Sequence, residues 1–448
     1  MGDESEDILE IGIMSHPSLP ITSHAFLGID FGTSGARAVA INRSGAILAE
    51  ARGVFRDQTA EAWRTALFDL IGRIPPDIRR RLAAIAINGT STTALLCDAE
   101  NQPLYPPLLY HDARAQAEAK QLEQIAPPGH PVLSASSSLA KLLWFQKQPE
   151  FPRARFFLHQ ADWLASLLHG KPGISDYHNS LKLGFDPETL RYPEWLLRQA
   201  VTPLLPRVLA PGAAIGPVTA EIAERFSLHR DCIVRAGTTD SIAAFIASEA
   251  NRPGQAVTSL GSTLVLKLLS KKRVDSARFG IYSHRIGNLW LAGGASNSGG
   301  AVLQSFFSNT RLEELSARIR PEADSGLDYY PLLKPGERFP IHDPELEPRL
   351  MPRPQDDTLF LHGLLEGMAR IEAQGYKLLQ ELGAPPLESV LTAGGGAGNP
   401  TWTAMRARFL GVPVRPSSRV EAAYGTALLA ARGESLLCCE QEQTENRT

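Results

Sequence analysis

Hydrophobic residues in this chain come in short runs that stop at small polar turns. Residues 27–41 open the pattern: an apolar run enters, Gly32-Thr33-Ser34-Gly35 reverses it, and a second apolar run leaves. Two such runs around a small-residue turn predict a β-hairpin. Residues 257–267 repeat it around Gly261-Ser262-Thr263. Residues 82–98 read as a buried strand, a polar turn at Thr90-Ser91-Thr92-Thr93 and another apolar strand. Elsewhere the apolar spacing is helical. Trp63, Leu67, Leu70 and Ile71 predict an amphipathic helix over 60–73, ended by Pro75-Pro76. Leu361, Leu364, Leu365, Met368 and Ile371 share one face of a long helix over 357–382. Shorter helices are predicted at 115–125, from the serine patch 134–138 through Phe145, and at 220–226, with a strand and helix over 156–170. Residues 175–180 read as a polar loop, and the proline- and charge-rich stretch 321–354 as a surface wrap.

Three further turns lead from a strand into a helix. Residues 232–247 pass through Gly237-Thr238-Thr239-Asp240 into an alanine-rich helix. Residues 289–307 pass through Gly299-Gly300. Residues 390–402 pass through Gly394-Gly395-Gly396-Ala397-Gly398-Asn399 into a helix that carries Trp402. The small-residue helix at 421–430 suits close packing of two domains at a hinge.

These turns carry the candidate chemistry. Glycine turns let backbone N–H groups converge on an anion, and a glycine-rich strand-to-helix turn lets backbone approach a phosphate. Asp30 stands at the mouth of the first turn. It is placed either to hold a hydrated Mg²⁺ or a substrate hydroxyl, or to cap its own turn. Asp240 falls at a helix start, where the macrodipole favours a carboxylate, as a working group or as a plain N-cap. The hydroxyls of 90–93 suit a polyol or brace their own turn. Trp402 offers a flat face to a purine or fills a core. His178 touches a ligand or is structural.

Composition narrows the class. A chain of 448 residues predicts two domains or more, each with a real core. Hydrophobic residues at 43% and charged residues at 21% are the balance of a globular protein. A net charge of −3 gives no general attraction to nucleic acid or an anionic membrane. Cys97, Cys232, Cys438 and Cys439 form no metal-like cluster, and no secretory signal precedes them. A reducing cytoplasm is the expected location. No apolar run approaches the roughly 20 residues of a membrane span. Residues 1–24 read as an N-terminal extension. Asp3, Glu4, Glu6, Asp7 and Glu10 argue against an organellar transit peptide there. Residues 434–448 read as a polar tail.

No single turn is specific, but five in this order resemble the FGGY family of carbohydrate kinases, within the actin-like ATPase superfamily, from about 25 to 433. Residues 28–34 are similar to the family's first phosphate motif, Gly261-Ser262-Thr263 to the second, and residues 394–399 to the adenosine motif. Ala236-Gly237-Thr238-Thr239-Asp240 is similar to the segment with the family's catalytic aspartate. Residues 88–93, 236–245, 258–270 and 325–331 resemble a compact cyanobacterial and plant-plastid subgroup of D-ribulose kinases. Larger members carry bulky polar residues where Thr90, Ser91 and Thr92 stand here, which implies different sugar contacts.

The resemblance implies an α/β fold of two actin-like, ribonuclease H-like domains, with mixed sheets flanked by helices around a central cleft. Residues 25–230 would bind sugar and 231–433 nucleotide. ATP and Mg²⁺ are the implied cofactors, Asp240 the catalytic base, and Asp30 the metal-side carboxylate, acting through water. Asp30, Thr33, Ser34, Ser91 and Asp240 would contact sugar. Gly32, Thr33, Gly261, Ser262, Gly395, Gly396, Asn399 and Trp402 would form the nucleotide side. The expected partners are ATP and a small sugar, with no nucleic acid or membrane, in a monomer or homodimer. The function implied is phosphorylation of a ketopentose, D-ribulose to D-ribulose 5-phosphate. A D-xylulose or polyol kinase is the alternative within the class. A nucleotide-binding scaffold without efficient transfer is the alternative outside it, and it has no need of both Asp30 and Asp240.

Overall fold

The computed structural model describes residues 24–437. The predicted extension, apart from His24, and the tail from Cys438 lie outside the described residues. Two mixed sheets dominate. The first runs Ile47–Val54, Gly35–Asn42, Ala25–Phe31, Leu82–Gly89, Ile233–Arg235, Ala214–Pro217, and Thr238–Thr239 also pairs with Leu82–Gly89. The second runs Tyr282–Ile286, Leu289–Ser296, Leu264–Ser270, Gln255–Leu260, Ser389–Ala393, Val414–Pro416. Each contains the predicted antiparallel hairpin, whose first strand then pairs in parallel with a later one. The fold is therefore a duplicated α/β unit of the actin-like, ribonuclease H-like kind.

The sheets divide the chain later than the sequence predicts. Residues 232–239 were expected to open the second unit, from a break near 230. Instead Ile233–Arg235 and Thr238–Thr239 pair in parallel with Leu82–Gly89, and the second sheet starts at Gln255. A short buried strand reads the same whichever sheet receives it, so only pairing reveals its place.

Between the sheets lie two helices, Asp240–Ala247 and Ala422–Arg432. Their Ile242, Phe245, Ala427 and Leu428 share one core with Phe26 and Val39 of the first sheet and Val257 and Leu269 of the second. The approach is close. A Cβ on Gly28 would run into the backbone of Ala427, and one on Gly425 into that of Ala243. The small-residue run from Ala422 thus lets a helix lie directly on a strand and on a second helix.

A smaller cap rides on the first sheet. Ala94–Cys97 pairs antiparallel with Phe156–His159, and helices Gln116–Leu122 and Ser138–Gln146 share a core with Leu96 and Phe157. Residues 175–180, expected to be a polar loop, form instead a buried strand end and helical turn, Tyr177–Ser180. Asp176 makes this stable. Its Oδ1 accepts from the N–H groups of His178 and Asn179, so the polar residues satisfy one another out of water.

Candidate active site

Three segments of the first sheet end side by side. Asp30, Asn88 and Thr238 lie in register across parallel strands, so the turns after Phe31 and Gly89 and the helix start at Asp240 share one edge. Ligands of open α/β sheets bind beyond the carboxyl ends of the strands. Here that edge opens on a pocket of about 570 Å³. Thr33 enters it from the first hairpin turn, Thr90, Ser91 and Thr92 from the second turn, and Asp240 and Ser241 from the helix start. The cap supplies Tyr110, His111, Ser136 and Lys182.

The cap wall is tied down from beneath. Lys141, fully buried on helix Ser138–Gln146, donates from Nζ to the carbonyls of Thr92 at 2.8 Å and Leu109 at 2.7 Å. One ammonium thus clamps both loops that line this side. Burial brings its pKa down to about 7, against the pull of Asp112. Thr92 has φ +66°, a strained value for a β-branched residue, and the clamp helps to hold it.

Asp240 is the first residue of its helix, and Thr239 takes the N-cap position, so Asp240 is not the cap. Its Oδ1 accepts from the N–H of Ser241 at 2.6 Å. Burial raises its pKa, while that N–H, Lys267 and Lys182 lower it. Asp30 sits beside it, half-buried, and its Oδ1 has no hydrogen-bond partner in the protein. Burial and then the Asp240 charge push Asp30 up to about 7, with Asn88 and Arg37 pulling the other way. Two carboxylates in one low-dielectric corner, one with an unused oxygen, form a place that favours a cation.

The second sheet presents its turns in the same manner. Gln255–Leu260 and Ser389–Ala393 are parallel neighbours, so Gly261-Ser262-Thr263 and the glycine turn emerge together. Gly394, at φ +83°, lies against the backbone of Leu260. Ser262 and Gly395 are exposed, and a Cβ on Gly395 would meet nothing within 4 Å.

Not every expected residue joins these surfaces. Thr33, Ser91 and Asp240 share the pocket, Asp30 stands next to Asp240, and Ser34 is exposed at the hairpin tip. Trp402 is no face for a purine. It is 3% exposed, packs in the second core, and is covered by Gly396, whose Cβ would strike the ring. Asn399 explains this orientation. As N-cap its Oδ1 accepts from the N–H of Trp402 at 2.9 Å, which turns that residue inward, and its Nδ2 donates to Ser316 Oγ at 2.8 Å. Both ends of the Asn399 amide are therefore occupied within the protein. The helix start at Gly300 is likewise closed: its N–H donates to the Gly261 carbonyl at 2.8 Å, and that of Ala301 to Ser262 at 3.1 Å. Those glycines let the helix meet the hairpin turn rather than a phosphate.

Lys182, Tyr110, His111, Ser136 and Ser241 were not singled out as site residues from sequence. Lys182 carries no motif, and loop closure by the cap is what brings it in. The sequence does carry a signal at residues 108–114, where an apolar run ends in Tyr110-His111-Asp112. His178 proves structural. It is buried, and its Nδ1 lies 2.8 Å from Thr238 Oγ1. Its Nε2 lies 2.6 Å from the carbonyl of Arg285 on the second sheet.

Two duplicated sheets, with a polar pocket at the strand ends of the first and an aspartate at a helix start in its wall, are the architecture of a two-domain sugar kinase. The descriptions "FGGY family of carbohydrate kinases, N-terminal domain" and "C-terminal domain" match residues 25–247 and 256–434, and the chain belongs to that family. It is an ATP-dependent carbohydrate kinase. Among curated relatives, a xylulose kinase of Streptomyces coelicolor is 28% identical over 433 residues, covering 90% of this chain and 87% of the relative. A xylulose kinase of Staphylococcus epidermidis is 24% identical over 440 residues, covering 91% and 87%. A solved structure described as a "xyloylose kinase" from Brucella ovis is 26% identical, with a TM-score of 0.79 over 92% of this chain and 91% of that one. Among the described residues, no helix is long and apolar enough to cross a membrane.

Proposed function

We propose that this kinase phosphorylates a ketopentose, D-ribulose, to D-ribulose 5-phosphate, with Asp240 as general base. The observation that carries the reading is the pocket: Asp240 shares its wall with Ser91 and Lys182, and with Thr90 and Thr92, whose hydroxyls bond within the protein. Short side chains leave room for a polyol, and Ser91 offers it a hydroxyl. The likeness of 88–93 and 236–245 to D-ribulose kinases favours that sugar. D-Xylulose is the second reading, supported by the names of the relatives above. The two sugars differ in configuration at one carbon, so one hydroxyl contact separates them.

In this reading the first domain holds sugar through Asp30, Thr33, Ser34 and Ser91, and the second holds nucleotide. Gly32, Thr33, Gly261 and Ser262 approach the phosphates with backbone and hydroxyl groups, and Gly395 and Gly396 leave open backbone for the adenosine side. Asn399 acts there by shaping the turn. Asp240 takes the proton of the attacking hydroxyl. The new O–P bond forms in line as the bond from the terminal phosphorus to the bridging oxygen breaks, and ADP leaves. The unpartnered oxygen of Asp30 fits Mg²⁺ held through water. When bound, Mg²⁺ supplies positive charge to the phosphate oxygens.

The test is ADP release with ATP and Mg²⁺ against ketopentoses and polyols, run beside Asp240→Asn. D-Ribulose should give the highest kcat/KM, and the variant should lose about 100-fold or more in kcat while still binding ATP. Preference for D-xylulose would replace the substrate. Full turnover by the variant would remove the base.

A further inference from the structure

Lys182 supplies an ammonium to the wall of the sugar pocket. It stands on the turn Leu181–Leu183, between two buried leucines. The turn continues from Tyr177–Ser180, where the carboxylate of Asp176 accepts from the N–H groups of His178 and Asn179. Both neighbours of Lys182 are thus anchored in the interior, and the backbone that presents it is well supported.

The side chain is also held from the second domain. Nζ lies 5.4 Å from the centre of the Tyr282 ring, on strand Tyr282–Ile286. The electron-rich face of an aromatic ring attracts a cation at that range. Lys182 itself is half-buried, and among the described residues its ammonium makes no ion pair or hydrogen bond. The hydroxyls of Thr90 and Thr92, by contrast, are taken up within the protein. The pocket therefore carries a placed cation whose N–H groups remain available.

The chemistry of a ketopentose says which atom such a group meets. An ammonium has three donors and no acceptor. Sugar hydroxyls both give and take a hydrogen bond, so Ser91 suits them. The C-2 carbonyl of a ketose only accepts. That carbonyl exists only in the open chain, because ring closure joins the terminal oxygen to C-2 and consumes both groups. Phosphorylation at the terminal hydroxyl therefore needs the open form, with the carbonyl free towards one end and the hydroxyl at the other. Asp240 stands at the helix start on the first sheet, and Lys182 comes from the cap. Acceptor and donor thus reach the pocket from different walls.

We propose that Lys182 is a specificity-determining residue, which binds the C-2 carbonyl oxygen of the open-chain sugar and so selects ketopentoses over the corresponding polyols. The inference rests on the reading of the substrate as a ketopentose. In a pentitol C-2 is tetrahedral, and its hydroxyl brings a hydrogen that needs an acceptor. An ammonium has none to offer. A site that holds a polar group of its substrate discriminates against an analogue that leaves that group unpaired. The same grip keeps the terminal hydroxyl out of the ring and free for transfer.

The experiment uses the full-length protein, Lys182→Met, and D-ribulose labelled with carbon-13 at C-2. Native protein should bind the sugar with a ketone resonance moved downfield of the free open chain, because a donated hydrogen bond polarises the carbonyl. In Lys182→Met that displacement should vanish. Calorimetry should show D-ribulose weakened about 10- to 100-fold and ribitol, its C-2-reduced counterpart, by less than about threefold. An unchanged KM for ATP is the check on folding. A displaced ketone signal that is the same in Lys182→Met overturns the role of Lys182 and leaves the substrate reading intact. Equal weakening of both ligands reduces the residue to packing and also overturns it, as does a native complex that holds the ring form. Failure of the native protein to bind any ketopentose is the separate result that removes the substrate reading, and this proposal with it.

Discussion

Asp30 shows how burial makes a carboxylate useful. Its folded pKa of about 7 stands above its ordinary 3.8, so folding favours the protonated form. Below pH 4 both states are protonated and nothing is lost. From pH 4 to 7 the native state is progressively penalised, and above 7 the penalty is complete. Asp30→Asn should therefore stabilise the ligand-free protein by up to about 4 kcal/mol at pH 8, with the difference gone near pH 4. Urea unfolding across that range measures it, and equal stability at pH 8 would sink the idea. On the proposed role the same variant should also lose turnover, because it replaces the carboxylate whose Oδ1 has no partner in the protein. Asp30 was legible because it stands in a turn of glycines and hydroxyls. Trp402 was misplaced because an aromatic next to a glycine turn reads alike whether its ring faces ligand or core. The Asn399 cap decides between them, and that is a matter of one hydrogen bond.

At the scale of elements, the second sheet is braced by a buried polar network. Arg406 on helix Pro400–Leu410 meets Glu372 on helix Asp357–Glu381 through two hydrogen bonds of 2.6 and 2.7 Å, and both side chains are 1% exposed. Arg406 also donates to Thr392, and Glu372 accepts from Thr258, each on a strand that leads to a nucleotide-side turn. Breaking a buried pair leaves a charge without compensation. Arg406→Met should cost about 3–5 kcal/mol, and Arg406→Leu with Glu372→Met should recover much of it. Denaturant midpoints test this, and a near-neutral single variant would count against it. The helices themselves were plain from their spacing: 60–73 and 220–226 coincide with Ala60–Arg73 and Ala220–Phe226. The network was not plain, because a Glu on an otherwise apolar face gives no sign of an arginine on another helix.

For the whole molecule, the question is how the two domains hold each other. Beyond the shared helices, Arg273 of the second domain pairs with Asp186 and Glu188 at 3.2 Å each and with Asp275 at 2.7 Å. Arg285 donates to the carbonyl of Pro187 at 2.8 Å. The contacts to Asp186, Glu188 and Pro187, partly exposed, bridge the first and second domains, while that to Asp275 lies within the second. Such pairs are individually weak and screened by salt. Arg273→Ala should raise KM for sugar by about two- to fivefold at low ionic strength, and the difference should fade in molar salt. An unchanged KM at low salt would show that closure does not depend on this latch.

Periodicity, turn chemistry and their order along the chain determined the elements, the duplicated architecture and the turns that carry Asp30, Asp240 and the glycines. These are local properties, set by φ/ψ preference and by which face of an element is apolar. Tertiary structure alone decided which sheet receives Ile233–Arg235, that Trp402 turns inward, and that Lys182, Tyr110 and Ser136 complete the pocket. It alone set Lys182 against the ring of Tyr282. These are pairings between segments far apart in the chain, and a side chain carries no local mark of the partner that folding will place beside it.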